Sequence, residues 1–352
     1  MTFLRRLLTR GGDTGRSHEH VREPGDGTAP GWDAITDATT RIYGPEEPLH
    51  WGTIRRWRQG GPDPLDGLSA HRADGPPPHW HYVGYGLSEL WAKESDDPAL
   101  SGWGIELTFR LLRPADEEGP PTWPLTLLQD LARYVYRSHN VLRPGDHTSF
   151  DGPIAEGDTA LTAFLFAEDP ELGTIETPNG AVTFVQLVGV HDDEYRLASE
   201  WDTRRVLDIL ARRDPRLVTD LARPSILTEP AVVAEVAAGR ETEGSSMGGL
   251  NDATFTWRTA GPALEVLLDP AIRDRLVAML EGRIRHGRPL WIQGPDRSLE
   301  IHPGADGVEV VDAQLRLHVS DTTARSLAGA LRSPERIVEV AELPQVRWIV
   351  GE

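Results

Sequence analysis

Cysteine is absent from this chain of 352 residues, and lysine nearly so, with Lys93 the single one. The missing thiol excludes a disulfide framework, a thiolate zinc site, a Cys nucleophile and a cysteine-ligated iron–sulfur cluster. It is also consistent with a reducing compartment, so a cytoplasmic protein is expected. Positive charge is scarce: 36 Lys+Arg oppose 55 Asp+Glu, a formal net charge of −19. Such a chain repels a phosphate backbone, which argues against nucleic acid as a partner. No apolar run approaches the roughly 20 residues that cross a bilayer, so no membrane partner is expected. The predominance of arginine over lysine reflects a GC-rich coding bias rather than a function. What is abundant is glycine (35) and proline (28), which predicts many turns and short elements and argues against a helical bundle. The length suggests about two domains, each able to bury a core.

The opening Met1–Arg10 reads as one short basic amphipathic turn, too short for a signal-peptide core. Residues 1–30 as a whole read as a disordered tail, since Gly11–Pro30 is almost devoid of apolar residues. Order starts near Trp32, where Ala34, Ile35, Ala38 and Ile42 follow helical spacing. Trp103, Ile105, Leu107, Phe109 and Leu111 alternate with Gly104, Glu106, Thr108 and Arg110, which predicts a strand with one buried face. Leu125, Leu128, Leu131, Ala132 and Val135 predict an amphipathic helix with Pro124 in its first turn. Ala160–Ala167 and Ala181–Val190 are apolar on both parities, the pattern of central strands. Pro230–Ala238 reads as a short helix, and Glu241–Gly249 as the best internal boundary. This gives a first domain over 31–240, an interlobe segment over 241–252 and a smaller α/β domain over 253–352. In the latter we expect a strand at Ala253–Trp257, a helix capped by Asp269 with Pro270 first, strands at Leu290–Gln293, Val308–Val311 and Gln314–Val319, a helix capped by Ser320, and a last strand at Gln345–Val350.

Chemistry-bearing motifs are few. His79-Trp-His81 places two imidazoles on one side of a strand, but two ligands are too few for a metal site, and packed histidines are the simpler reading. Gly84-Tyr-Gly86-Leu-Ser-Glu89 begins like a dinucleotide fingerprint but ends in Glu and lacks a βαβ unit. No nucleophile elbow, H-E-x-x-H or Walker loop occurs. Gly282-Arg-Ile-Arg-His-Gly-Arg288 is a basic cluster whose ordinary role is to meet the negative end of a helix and its orphan carbonyls. No catalytic residue, metal or cofactor is assigned, and binding by surface complementarity becomes the leading class.

The wording of the turns and strands resembles the Suppressor of fused family. The resemblance rests on Gly60-Gly-Pro-Asp-Pro-Leu-Asp66, His79-Trp-His-Tyr82, Gly86-Leu-Ser88, Gly104–Arg110, Pro121-Thr-Trp-Pro124, Leu131-Ala-Arg-Tyr-Val135, Gly145-Asp-His147, Glu168-Asp-Pro170, Thr177-Pro178, Val182-Thr-Phe184 and Val188-Gly-Val190. It runs from Trp32 to Met247 and continues faintly through Gly282–Arg288 and Gln314-Leu315, so both family lobes are expected. It implies a mixed α/β (α+β) fold in two lobes, each a mixed sheet flanked by helices, without enzymatic activity. Animal members hold the zinc-finger transcription factors of Hedgehog signalling in the cytoplasm by gripping an extended peptide with both lobes. Carried over residue by residue, the resemblance implies partner contacts at Tyr134, Asp146 and Glu168, and a peptide-pairing segment at Glu241–Leu250 in which Glu243 stands for an Asp and Leu250 for another aliphatic.

The chain lacks the long polar insertion of the animal second lobe, and its arginine bias suggests a prokaryotic (bacterial-type) member. The binding mode is therefore carried over, and the partner is not. The expected function is a cytoplasmic, non-enzymatic module that captures a protein or peptide partner, basic or His-containing, by β-augmentation. An immunity-type or other sequestering role would suit it. The competing expectation is a hydrolase or transferase with a site assembled from scattered Asp, Glu and His.

Overall fold

The computed structural model describes residues 28–351 except Arg56, Ala115, Asp116, Glu118 and Asp151. The segment Met1–Arg10 and most of the expected tail lie outside the described residues. The chain forms two compact units. One takes the residues up to Tyr195 together with Thr203–Ile226, and the other takes Arg196–Asp202 and everything from Leu227 onward. The Gly-rich segment 241–252 lies inside the second unit. Among the described residues no helix is long and apolar enough to cross a membrane.

In the first unit the order is α1 (Pro30–Tyr43), β1 (Leu49–Gly52), β2 (Gly67–Ala73), β3 (His79–Tyr85), β4 (Leu100–Leu112), α2 (Trp123–Ser138), β5 (His147–Ser149), β6 (Leu161–Glu168), β7 (Thr174–Thr177), β8 (Gly180–His191), α3 (Asp192–Glu200) and α4 (Thr203–Ala211). Helix α3 runs on into the second unit at Arg196. The strands make one mixed sheet in the order β1-β2-β3-β4-β8-β6-β5, with β7 also on β8. β4 and β8 pair in parallel, and the other strand pairs of this sheet are antiparallel. Apolar residues on one parity of β4 and β8, including Leu107, Phe109 and Leu187, pack beneath Leu128, Leu131 and Val135 of α2. On the opposite face Ile35 and Ala38 of α1 cover Val83, Tyr85 and Phe184. Both faces of the sheet are therefore covered.

That second cover corrects the expectation for β4. Its alternation is present, but Glu106, Thr108 and Arg110 are as buried as the apolar residues between them. Beside this strand Lys93 donates to Glu89 Oε2 (3.1 Å) and Ser95 Oγ (2.7 Å) and to the carbonyl of Leu100 at the start of β4.

The second unit continues with α5 (Pro230–Glu243), β9 (Gly249–Asn251), β10 (Thr256–Ala260), β11 (Ala263–Leu268), α6 (Pro270–Arg283), β12 (Leu290–Gln293), β13 (Ser298–Pro303), β14 (Gly307–Val311), β15 (Gln314–Val319), α7 (Asp321–Leu331), β16 (Ile337–Glu339) and β17 (Val346–Val350). It holds two sheets rather than the single one expected, β14-β15-β13-β12-β9 and β10-β11-β17-β16. They share one core with α6 and α7, built from residues such as Leu276, Leu280, Leu317, Leu327 and Trp348.

The strand expected at Ala253–Trp257 starts three residues later. Asp252 Oδ1 accepts from Thr254 N and Oγ1, both at 2.8 Å, and bends the chain into a turn first. Helix α5 is longer than expected and stops at Gly244, whose φ is +69° and whose added Cβ would lie 2.3 Å from the Gly282 carbonyl oxygen. Only glycine meets both conditions. Caps hold the two helices beside the sheets. Asp269 Oδ1 accepts from Ala271 N at 2.7 Å, and Ser320 Oγ accepts from Thr323 N at 3.2 Å. Asp269→Ala should cost about 1 kcal/mol, readable as a lowered urea midpoint with an unchanged slope.

Candidate partner-binding site

Strand β5 ends the sheet of the first unit, so among the described residues one side of its backbone has no neighbouring strand. Phe166 N donates to Asp146 O, and Phe150 N donates to Thr162 O. Even-numbered positions therefore bond inward to β6. The N–H and C=O groups of Ser149 point outward, as alternation in an antiparallel pair requires, while the ring of His147 is held by Thr203 Oγ1 at 2.9 Å.

Beside this edge lies a cleft of about 290 Å³, lined among others by Leu131, Tyr134, Leu142, Asp146, His147 and Phe150. Two of the expected contact residues, Tyr134 and Asp146, thus meet in one concavity. The Tyr134 hydroxyl accepts from Asn140 Nδ2 at 2.6 Å. Asp146 is exposed and closes its own turn, with Oδ2 accepting from Arg143 N at 2.8 Å. Glu168 is exposed at the end of β6, two residues beyond the Phe166 that bonds to Asp146, and its Oε1 accepts from Thr174 Oγ1 at 3.1 Å. Residues two apart on a strand share a face. Asp146 and Glu168 therefore lie on the α2 side of the sheet, where Phe166 packs.

The turn that carries Glu168 is anchored from within by its neighbour Asp169, which is 1% exposed. Arg110 donates Nη1 to Asp169 Oδ2 (2.8 Å) and Nη2 to Oδ1 (3.0 Å), and Thr108 Oγ1 donates to Oδ2 (2.9 Å). The backbone N–H groups of Glu171 and Leu172 donate to Oδ1 at 3.0 and 2.9 Å. His81 Nε2 lies 3.0 Å from Oδ2, while its Nδ1 lies 2.7 Å from the Tyr43 hydroxyl on α1. Arg110 also reaches Glu171 (2.9 Å) and Gln186.

Burial alone would raise the Asp169 carboxyl; the donors on His81 and Arg110 outweigh it and hold the group well below the usual carboxylate range. Burial, reinforced by Arg110, pulls His81 down to about 3, so the imidazole is neutral at pH 7. A neutral ring that donates from Nε2 and accepts at Nδ1 satisfies both neighbours. His81 is thus a buried link between α1 and the turn, and His79 Nδ1 lies 2.9 Å from the Pro77 carbonyl. Among the described residues no group of three or more His, Cys, Asp or Glu is placed to hold a metal ion.

The loop that begins like a nucleotide fingerprint has a different use. Gly86 N, Ser88 N and Ser88 Oγ donate to Glu106 Oε1 at 2.8, 2.9 and 2.6 Å. The chain's own carboxylate fills the nest of amides that a phosphate would occupy. Burial pushes the Glu106 carboxyl up to about 7 against those donors. It is fully buried, and its Oε1 is taken up in holding the loop of Gly86 and Ser88.

In the second unit the expected segment behaves unevenly. Glu241 and Glu243 belong to the last turn of α5, and Glu243 Oε2 accepts from Trp201 Nε1 at 3.1 Å. Leu250 is 2% exposed and part of the core. Its side chain therefore faces into the second unit. Its strand is nonetheless open. β9 is the end strand of its sheet and runs parallel to β12. Trp291 N donates to Gly248 O and Asp252 N donates to Gln293 O. Leu250 is therefore bonded inward, and the polar backbone groups of Gly249 and Asn251 face outward.

The basic cluster is consumed internally. Arg283 donates to the carbonyls of Pro289 (2.7 Å) and Ser245 (2.8 Å), Arg288 donates to that of Ser245 (3.2 Å), and Arg285 pairs with Glu241. It braces the segment before β9 more than it caps α6. A larger cleft of about 870 Å³ opens between α5, α6 and α7. Each arginine on its wall has a carboxylate partner: Arg240 with Glu200 (2.8 Å), Arg332 with Glu281 (2.6 Å), Arg285 with Glu241 and Arg325 with Asp321.

Comparison with known proteins places these features in context. Residues 61–224 match the family described as Suppressor of fused protein (SUFU). The human Suppressor of fused homolog is 39% identical over 241 residues, which are 63% of this chain and 49% of that protein. The chain thus spans about half the length of that curated relative. A crystal structure of Drosophila Suppressor of Fused superposes with a TM-score of 0.80 at 26% identity, over 92% of this chain and 97% of that one. A chain of the Sufu-Fu complex crystal structure matches at a TM-score of 0.55 and 34% identity, over 60% of this chain and 98% of its own.

Proposed function

From the premise that this chain belongs to the Suppressor of fused family, we propose that it is a non-enzymatic, cytoplasmic binding protein that captures an extended peptide or partner domain with both of its lobes. The observation that carries the reading is the pair of sheet edges with outward backbone groups, β5 beside the cleft of Tyr134 and Asp146, and β9 in the second unit. Strand addition to such edges takes its affinity from main-chain hydrogen bonds and its specificity from neighbouring side chains. A solved relative forms a complex with a protein, as the name Sufu-Fu complex states. That supports a protein partner for this chain too.

The exposed carboxylates of Asp146 and Glu168 would select a basic or His-bearing segment, and a charge of −19 would speed the encounter. The role that suits this chemistry is sequestration, including an immunity-type role in a bacterial-type host. Charge reversal of both residues (Asp146→Arg with Glu168→Arg) should abolish partner recovery in a pull-down from the native host. Both side chains are exposed and each gives up one local hydrogen bond, so the thermal midpoint should fall by no more than about 4 °C. Recovery of the same partner by the double variant would sink the assignment.

A further inference from the structure

Strand β9 has an aromatic neighbour that the binding reading leaves unused. Trp291 on β12 stands in register with Gly249 and is 43% exposed. Its indole does not rest on its own strand. A Cβ added to Gly249 would lie 2.0–2.3 Å from Cε2, Cζ2 and Cδ2 of that ring. The ring therefore lies across the bare α-carbon of Gly249, toward the edge where the backbone groups of Gly249 point outward. Any side chain at position 249 would displace it, so the glycine makes room for the aromatic. Farther along the same row the sheet carries Glu300, Arg316 and Glu309, in register across β13, β15 and β14. All three are polar and tied to one another. Trp291 is the one apolar surface of this row, and it is at the open end.

We propose that Trp291 is the specificity-determining residue of the β9 edge, reading a large apolar side chain on the partner residue that sits opposite Gly249. The proposal rests on the reading that an extended partner strand pairs with β9. A strand added there runs about 4.8 Å beyond β9, and its residue opposite Gly249 projects on the face that carries the indole. With no side chain on Gly249 between them, the two groups meet directly. A cation is disfavoured at this place. The nearest acid of the row, Glu300, already accepts from His302 and Arg316 and is not available to pair with one. An apolar side chain needs no such partner and buries an exposed indole, the residue type that most often dominates recognition. The acidic positions of the first unit and the indole of the second would thus read different residues of one peptide.

The test uses a phage-displayed random dodecapeptide library panned against the full chain, against Trp291→Ala and against the Asp146→Arg/Glu168→Arg variant. Synthetic copies of the peptides enriched on the wild type are then titrated. The expected result is an aromatic or large aliphatic residue at one fixed position of the wild-type consensus. Trp291→Ala should lose that preference and bind the selected peptide at least ten-fold more weakly. A peptide with glycine at that position should bind wild type and Trp291→Ala alike. With 5-fluorotryptophan in the chain, the ¹⁹F resonance that disappears in Trp291→Phe should shift when the peptide is added. Trp291→Phe keeps a ring and should retain most of the affinity, which separates a lost platform from a misfolded strand.

Peptides that lose binding to the acidic-site variant but bind Trp291→Ala as tightly as wild type would overturn the inference and leave the binding reading standing. A Lys or Arg at the fixed position would also overturn it, as would a ¹⁹F shift that appears on raising protein concentration alone, which would assign the edge to a second copy of the chain. Failure to enrich any peptide on the wild type would overturn both readings.

Discussion

Arg110→Met is expected to destabilise the first unit by about 3–5 kcal/mol, the range found when one partner of a buried ion pair is removed. The side chain is fully buried on β4 and is held by Asp169, Glu171 and Gln186. Methionine would fill much of its volume but leave the Asp169 carboxylate charged, buried and short of two donors. The loss should shrink when the carboxylate is removed as well. The double variant Arg110→Met/Asp169→Leu should therefore be more stable than the sum of the single losses allows, although the backbone donors of Glu171 and Leu172 would then lack their acceptor. Chemical denaturation of the four proteins of this cycle reads the coupling directly. A single-variant loss below 1 kcal/mol would show that the pair is not buried as described.

The second large effect is on acid stability. Burial holds His71 and His79 down to about 4, and burial with Arg110 holds His81 down to about 3. Above the ordinary histidine pKa near 6.5 these rings are neutral in both folded and unfolded chains and contribute no pH dependence. As pH falls below 6.5 the unfolded chain takes up the three protons first, so stability is lost progressively down to about pH 4. Glu106 acts in the opposite sense. Its folded pKa of about 7 lies above the unfolded value, so its contribution is present below about pH 4.5 and is lost as pH rises toward 7. Asp169, held low, adds a loss only below its unfolded value near 3.8. Between pH 6.5 and 4.5 the balance is at most about two protons, a slope of up to roughly 2.7 kcal/mol per pH unit. Urea midpoints should fall steeply across this window, and Glu106→Gln should steepen the fall. A flat profile from pH 7 to 5 would mean that the histidines are not buried neutral.

The amphipathic period of α2, the double-sided apolar runs of β6 and β8 and the capping residues Asp269 and Ser320 are legible in the sequence, because each is a local signal. Glu106, Thr108 and Arg110 are not. Alternation with apolar residues makes them look solvent-facing, while the groups that make their burial tolerable come from far away: Asp169 is 59 residues from Arg110, and the Gly86 amide is 20 from Glu106. The second unit was harder to read because its strands are short. β11, β13 and β16 gave no separate signal, and the division into two sheets depends on long-range parallel pairings of β11 with β17 and of β13 with β15.

For the candidate site, motif correspondence brought Tyr134 and Asp146 to one cleft and put Glu168 on the same ladder. It could not tell that Leu250 points into a core, since facing is set by register with β12. The role of Trp291 is hidden in the sequence for a related reason. A lone tryptophan in the pattern Leu290-Trp-Ile-Gln293 is ordinary until its register partner proves to be glycine.

One feature of the first unit also matters for the protein as a reagent. Lys93 is the only side-chain amine in the sequence, and it is engaged by Glu89, Ser95 and the first carbonyl of β4. Acylating agents, cross-linkers and lysine-modifying enzymes all have this one side chain to act on, and its three hydrogen bonds must yield before the nitrogen is free to react. A dye or surface tether attached there would report from a single known address.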